Sequence, residues 1–340
     1  MRNKVCLPEI SIIRLILILC IVIGHSFAPF SGGSWHSICE GEIAIYMWIN
    51  PFFISFQLGA FVLISGYLYK HTSLSSVGWR SFVWKKFERL MIPGILFSLI
   101  YLYLFADKPI GIGKFIVNIL SGAGHLWLLP MLFWCFIFTF FIGKLNCSKC
   151  SVIIFLCILA LLPLSVPFGI GNAFHYLIYF YLGIVLYDRR SDILVFKKSC
   201  IIILWIIYLL TIFIEIIGRN YLMSFIDFYG VYSKAAVLAT INVIQLLVTV
   251  SGSLALYSTI LKVIHGINVT NNFILFCGKS SYGIYIFHQF ILVYLYYHTS
   301  LSSHISIYLM PWLGLVVSLA MSLICTYGML KTKIGRFLIG

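Results

Sequence analysis

Two residues in the first apolar stretch carry the strongest chemical signal in the sequence. Arg14 and His25 lie within the run from Ile10 to Phe30, with ten residues between them. Eleven helical steps of 100° return to within about 20° of the starting direction, and a rise of about 1.5 Å per residue sets the pair roughly 16 Å apart. They therefore share one face. A guanidinium offers a forked set of donors to phosphate or carboxylate, while an imidazole takes and returns a proton near neutral pH. Ionisable groups within a bilayer cost roughly 2.5–3.5 kcal/mol each on insertion scales, and they mark cavities and substrate paths for that reason. The plainer alternatives are snorkelling of Arg14 to lipid headgroups and a packed, satisfied ring at His25.

A second group lies in GKSSYGIYIFHQF, where Ser281, Tyr285 and His288 fall at i, i+4 and i+7 on one stripe. Such a stripe faces protein or a cavity rather than lipid, and interhelical hydrogen bonding accounts for it equally well. His125 opens GHLWLLP, and His175 belongs with His125 and His25 to the same half of the membrane. Glu42 and Glu215 are acids able to orient a histidine, or else solvated loop residues. Gln57, Ser65 and Gly66 read as a packing device in an apolar segment. Arg80, Lys85, Lys86 and Arg89 form a basic run that serves topology and suits phosphate.

These residues need elements to hold them, and composition says which. Of 340 residues, 62% are hydrophobic and 9% charged, against about 25% charged in soluble domains. That excludes a water-soluble globular fold. Apolar runs of 18 or more residues cross a hydrocarbon core of roughly 30 Å as helices, which satisfy their own backbone groups. The expected fold is all-α: a polytopic membrane bundle, one domain over residues 1–340, with about ten spans. They are 10–30, 45–69, 88–106, 126–143, 151–167, 173–187, 199–217, 235–260, 280–297 and 306–330. Residues 110–122 are too short and glycine-rich to span, and suit an interfacial or re-entrant piece. The first run is too long for a signal peptide, contains Arg14 and lacks a small-residue cleavage site, so it reads as a retained helix.

The cations orient this bundle. With both termini cytoplasmic, eighteen of the 23 Lys and Arg residues fall on the inner side, Arg14 lies within a span, and Lys108, Lys114, Arg219 and Lys234 fall outside. This is the positive-inside asymmetry. The net charge of +14 is thus topological and gives no reason to expect nucleic acid; anionic lipid or a phosphorylated small molecule suits it better. Half of the ten cysteines lie in apolar spans as small hydrophobes, and Cys147 and Cys150 form a lone C-x-x-C without the second pair of a zinc site. No metal is expected. Asn146 and Asn268 head sequons on the cytoplasmic side, where they carry no meaning.

Taken in order, the motifs resemble the membrane-bound acyltransferase-3 family, the O-acyltransferases of bacterial surface polysaccharides and related glycans. Arg14 and His25 look like its first-helix signature, FVLISGYLY like its segment closing on Ser-Gly, and KKFERLMIP like its basic lead into the third helix. GHLWLLPML, YFYLGIVLY and GKSSYGIYIFHQF look like its later elements, so the likeness runs from residue 10 to about residue 295.

The resemblance implies an enzyme of the bacterial cytoplasmic (inner) membrane that moves an acyl group, commonly acetyl, from cytoplasmic acyl-CoA to a glycan hydroxyl at the outer face. Acetyl-CoA or another acyl-CoA is then a substrate, with no permanently bound cofactor. The expected partners are acyl-CoA, a glycan acceptor and membrane lipid; the oligomeric state stays open. Arg14 and His25 carry over as the essential pair. Arg80 and Arg89 carry over in part, since WRSFVWKKFER reproduces the family's basic pattern incompletely. Donor binding is assigned to Arg14, Arg80, Lys85, Lys86, Arg89, Ser281 and Tyr285, and acceptor binding to His125, His288 and Glu42. Some members append an extracellular domain, whereas this chain reads as a stand-alone form ending in a basic tail. Direct transfer and a covalent acyl-enzyme both remain open, and a glycan-precursor transporter or flippase is the competing function, although the halves show no convincing repeat.

Overall fold

The computed structural model describes the backbone of residues 7–31, 35–38, 43–72, 78–106, 111–145, 147–162, 164–229, 231–264 and 272–340, leaving aside the side chains of 219–220, 223–229 and 231–235. Among these residues every regular element is helical. The α-helices of seven residues or more are α1 (Pro8–Phe27), α2 (Ala44–His71), α3 (Trp79–Phe105), α4 (Ile112–Ser121), α5 (Leu128–Ile142), α6 (Lys149–Leu161) and α7 (Ile170–Asp188). They continue as α8 (Lys198–Tyr229), α9 (Val231–Ile264), α10 (Asn272–Lys279), α11 (Ser281–Tyr297), α12 (Met310–Lys331) and α13 (Lys333–Ile339).

Among the described residues eight helices are long and apolar enough to cross a membrane, so the all-α polytopic bundle is the fold. Two of the ten expected spans are shorter. α6 has 13 residues, which at about 1.5 Å each fall well short of a core of roughly 30 Å; Pro163 and Pro167 follow it in the sequence. α11 has 17 residues and comes directly after the short α10. α3 begins nine residues before the expected position 88, because WRSFVWKKF is helical and continuous with the apolar part. Residues 112–121, expected as an interfacial or re-entrant piece, form α4, too short to span, with Ile112, Phe115, Ile116 and Val117 exposed.

The chain divides into two compact units. The first comprises Met1–Phe61, Arg190–Gly218 and Gln245–Lys331, and the second Val62–Arg189, Arg219–Ile244 and Thr332–Gly340. In the first, α1 is the central element, packed against α10, α11 and α12. Leu17, Ile18, Val22 and Phe27 on it are fully buried. Its start is well specified: Pro8 occupies the first turn, where its missing N–H is not needed. Glu9 meets the positive end of the helix and pairs with Arg190 at 2.5 Å. Its far end is pinned by the Tyr296 hydroxyl, which donates to the Ser26 carbonyl at 2.9 Å.

In the second unit, α7 packs on α5 and α6, and two glycines let it touch α2. A methyl group on Gly66 would run into the Phe180 carbonyl, and one on Gly183 into the Leu63 carbonyl. FVLISGYLY and YFYLGIVLY, separate motifs in the sequence, are therefore the two sides of one backbone-to-backbone crossing. Small residues make such crossings in membrane bundles. In α3, Pro93 has no N–H for the Arg89 carbonyl, and the helix widens into a π turn over Phe87–Met91, with the Ile92 N–H donating to the Phe87 carbonyl. Arg89 sits in that turn.

The crossing is directly testable. Gly66→Ala and Gly183→Ala overpack a contact that has no room, at about 1–3 kcal/mol each, and should lower the unfolding temperature of the solubilised protein. Gly218→Ala, where a methyl group meets nothing within 4 Å, should leave it unchanged or raise it.

Candidate active site

The described part of α1 ends in a polar centre made by two imidazoles from opposite ends of the sequence. His25 Nδ1 lies 2.8 Å from His288 Nε2, and His288 Nδ1 lies 3.0 Å from the Ile284 carbonyl oxygen. The ring centroids are 5.0 Å apart and the planes differ by 12°. With a 2.8 Å contact between nitrogens, that separation puts the rings edge to edge in nearly one plane, as a straight N–H···N bond requires.

The partners assign the protons. A carbonyl only accepts, so His288 Nδ1 carries hydrogen and donates to Ile284. In the neutral ring His288 Nε2 is then the acceptor, and His25 Nδ1 must donate to it. The lone pair of His25 is left on Nε2. If Nε2 takes a proton, the Nδ1–H bond to His288 is kept, so the pair needs no rearrangement between the two states.

Local structure accounts for the placement. His288 and Ile284 are one helical turn apart on α11, which puts the ring nitrogen over the carbonyl. His288 is fully buried, while His25 is half-buried. The Tyr285 ring leans on His288, with centroids 5.9 Å apart. Trp35 lies 5.9 Å from His25, and Tyr297 6.2 Å from Trp35; the Tyr297 hydroxyl donates to the His36 carbonyl at 2.7 Å.

The structure brings some of the expected site residues together and leaves others elsewhere. Arg14 is half-buried on α1 in the same unit as the imidazole pair. Ser281 is fully buried on α11, and its hydroxyl has no hydrogen-bond partner among the described residues. His288, expected among the acceptor-binding residues, has both ring nitrogens engaged, by His25 and Ile284, and none remains for a substrate. That sets His288 beside His25 as its hydrogen-bond partner. A histidine, not a carboxylate, therefore occupies His25 Nδ1; Glu215 is buried on α8 rather than solvated in a loop. Glu42 lies outside the described residues.

The remaining residues belong to the second unit. Arg80, Lys85 and Arg89 are exposed. The Lys86 ammonium sits 3.6 Å from the centre of the Phe136 ring and 5.7 Å from that of Phe82, the geometry of a cation–π contact. His125 is buried beside Tyr101, with ring centroids 6.2 Å apart. His175 Nδ1 bonds the Ala160 carbonyl at 2.9 Å, a structural link between α7 and α6. Sequence reasoning passed over Trp35 and Asn50; the one available signal for Asn50 was its seven-residue spacing from Gln57.

Fold and site together define a multi-pass helical membrane protein built around a hydrogen-bonded imidazole pair. Residues 7–331 match the acyltransferase domain family, and the chain belongs to that family, acyltransferase-3, as a membrane acyltransferase. No curated protein and no solved structure matches it.

The role of His288 can be separated from a packing role. His288→Ala leaves His25 free to take either tautomer and should lower acyl-transfer turnover about 10- to 100-fold. His288→Gln, whose side-chain carbonyl can accept from Nδ1–H, should recover much of the loss. Equal losses in two variants with normal unfolding temperatures would show that His25 needs no acceptor at Nδ1.

Proposed function

We propose that the protein is an O-acyltransferase of the bacterial cytoplasmic membrane, carrying an acyl group, acetyl foremost, from cytoplasmic acyl-CoA to a hydroxyl of a surface glycan or its precursor. The observation that carries the reading is the lone pair on His25 Nε2, defined by the chain from the Ile284 carbonyl through His288. Family membership supports acyl transfer as the reaction class.

In this reading His25 is the general base. Its Nε2 removes the proton of the acceptor hydroxyl as that oxygen attacks the thioester carbonyl, forming the new C–O bond and a tetrahedral oxyanion. The oxyanion collapses, the C–S bond breaks, and the thiolate of coenzyme A recovers the proton from Nε2. The acyl group passes directly, without a covalent enzyme intermediate. Throughout, His288 holds Nδ1–H and stabilises the imidazolium that forms, much as a carboxylate does in hydrolytic triads. Arg14, on the same helical face about 16 Å away, binds the phosphates of the donor, whose extended pantetheine arm bridges that distance.

Membranes containing the protein, supplied with labelled acetyl-CoA, should transfer label to glycan. His25→Ala should abolish transfer, since a base step contributes about 10²–10⁴-fold, while donor binding persists. Arg14→Ala should chiefly raise the donor KM, by about 10- to 100-fold for lost charge-assisted bonds. Full activity in the His25 variant overturns the mechanism, and acceptor movement without modification would favour a carrier.

A further inference from the structure

Beside His25, α1 meets α2 at Gly24. A methyl group there would strike Ile54 Cγ2, and the same point lies 3.4 Å from Gln57 Nε2 and 3.6 Å from Asn50 Oδ1. Asn50 and Gln57 are seven residues apart, on one face of α2, and both side chains converge on the residue preceding the candidate base. They are 4% and 6% exposed. Asn50 Oδ1 and Gln57 Oε1 are both buried and have no hydrogen-bond partner among the described residues.

Two hydrogen bonds select the orientation of Asn50. The Ser31 hydroxyl donates to the Phe27 carbonyl at 3.0 Å, so towards Asn50 it can only accept. It takes its bond from Asn50 Nδ2 at 2.8 Å. The amide nitrogen must therefore face Ser31, and the oxygen must face Gly24. Turned over, the amide would set Oδ1 against the Ser31 hydroxyl, which could donate to it only by giving up its bond to the Phe27 carbonyl.

Buried carbonyl oxygens without donors are rare and costly, more so where water is scarce. Two of them beside one catalytic candidate call for a ligand that donates. We infer that Asn50 and Gln57 form the acceptor subsite of the His25 centre, and that this subsite takes a polyhydroxylated ring, whose neighbouring hydroxyls donate to the two amide oxygens. The inference rests on the reading of His25 as the base.

Location favours the acceptor over the amide groups of a pantetheine arm. Asn50 is anchored on Ser31, beyond His25 along the chain and on the side away from Arg14. Trp35, whose ring lies 5.9 Å from that of His25, supplies a flat apolar wall for the C–H face of such a ring.

The test compares two acceptors with acetyl-CoA and the purified full-length protein: methyl α-glucopyranoside, and cyclohexylmethanol, a ring of similar size with a single hydroxyl. The wild type should prefer the glucoside in kcat/KM. Gln57→Met and Asn50→Ala should each reduce that preference about 2- to 10-fold, the worth of one hydrogen bond, through the acceptor KM and not the donor KM. Gln57→Glu, which retains an oxygen at the same place, should keep the preference and guards against a folding artefact. An unchanged preference in correctly folded Gln57→Met overturns the inference, as does a loss that falls on the donor KM, which would assign the amides to pantetheine. A wild type that turns over acetyl-CoA through His25 without preferring the glucoside overturns the subsite alone. No His25-dependent turnover with either acceptor would overturn the reading beneath it.

Discussion

A backbone carbonyl can only accept a hydrogen bond, and the tautomers of the buried imidazole pair follow from that one constraint. The Ile284 oxygen is committed to His288 Nδ1–H, His288 Nε2 is committed to His25 Nδ1–H, and the lone pair emerges at His25 Nε2. In water each ring would exchange tautomers freely. Inside an apolar bundle, a polar atom keeps only the partners its helices provide. The bundle thus does for two neutral side chains what a buried carboxylate does elsewhere: it selects the tautomer and holds the ring plane.

Holding the pair in place is a matter of how closely helices approach. α1 is gripped at its start by the Glu9–Arg190 pair and at its far end by the Tyr296 hydroxyl. Aromatic rings fill the space around that far end, with Phe27 set edge-on between Tyr46 and Trp312. Gly24 lets α2 lie against α1 closely enough to bring Asn50 and Gln57 to the neighbourhood of His25. In the second unit the same device appears at Gly66 and Gly183. Without a hydrophobic drive between helices in lipid, such close contacts and interhelical hydrogen bonds supply much of the association.

The cations are less alike than their uniform contribution to topology suggests. Arg190 neutralises Glu9, Lys149 and Lys70 share Asp188 at 2.6 and 3.8 Å, and Lys86 lies on Phe136. Arg80 and Lys85 stay at the surface. A basic run in a sequence therefore mixes structural charges with those able to meet a ligand, and only their surroundings separate the two.

Hydropathy and charge density were sufficient for the helical, multi-pass fold, and most expected spans lie within a few residues of the helices, because length, apolarity and backbone satisfaction are local properties of a segment. The 3.6-residue repeat likewise put Arg14 and His25 on one face and His288 on a stripe with Ser281 and Tyr285. What happens between segments was not legible in the same way. The joining of Gly66 to Gly183 and the turning of Lys86 onto a ring both depend on which helix lies opposite. The meeting of His25 with His288, 263 positions apart, was decided by tertiary structure alone. Periodicity gives the direction in which a side chain leaves its own helix, but the partner it finds there is set by packing between helices, and that packing made one histidine the orienting group of the other.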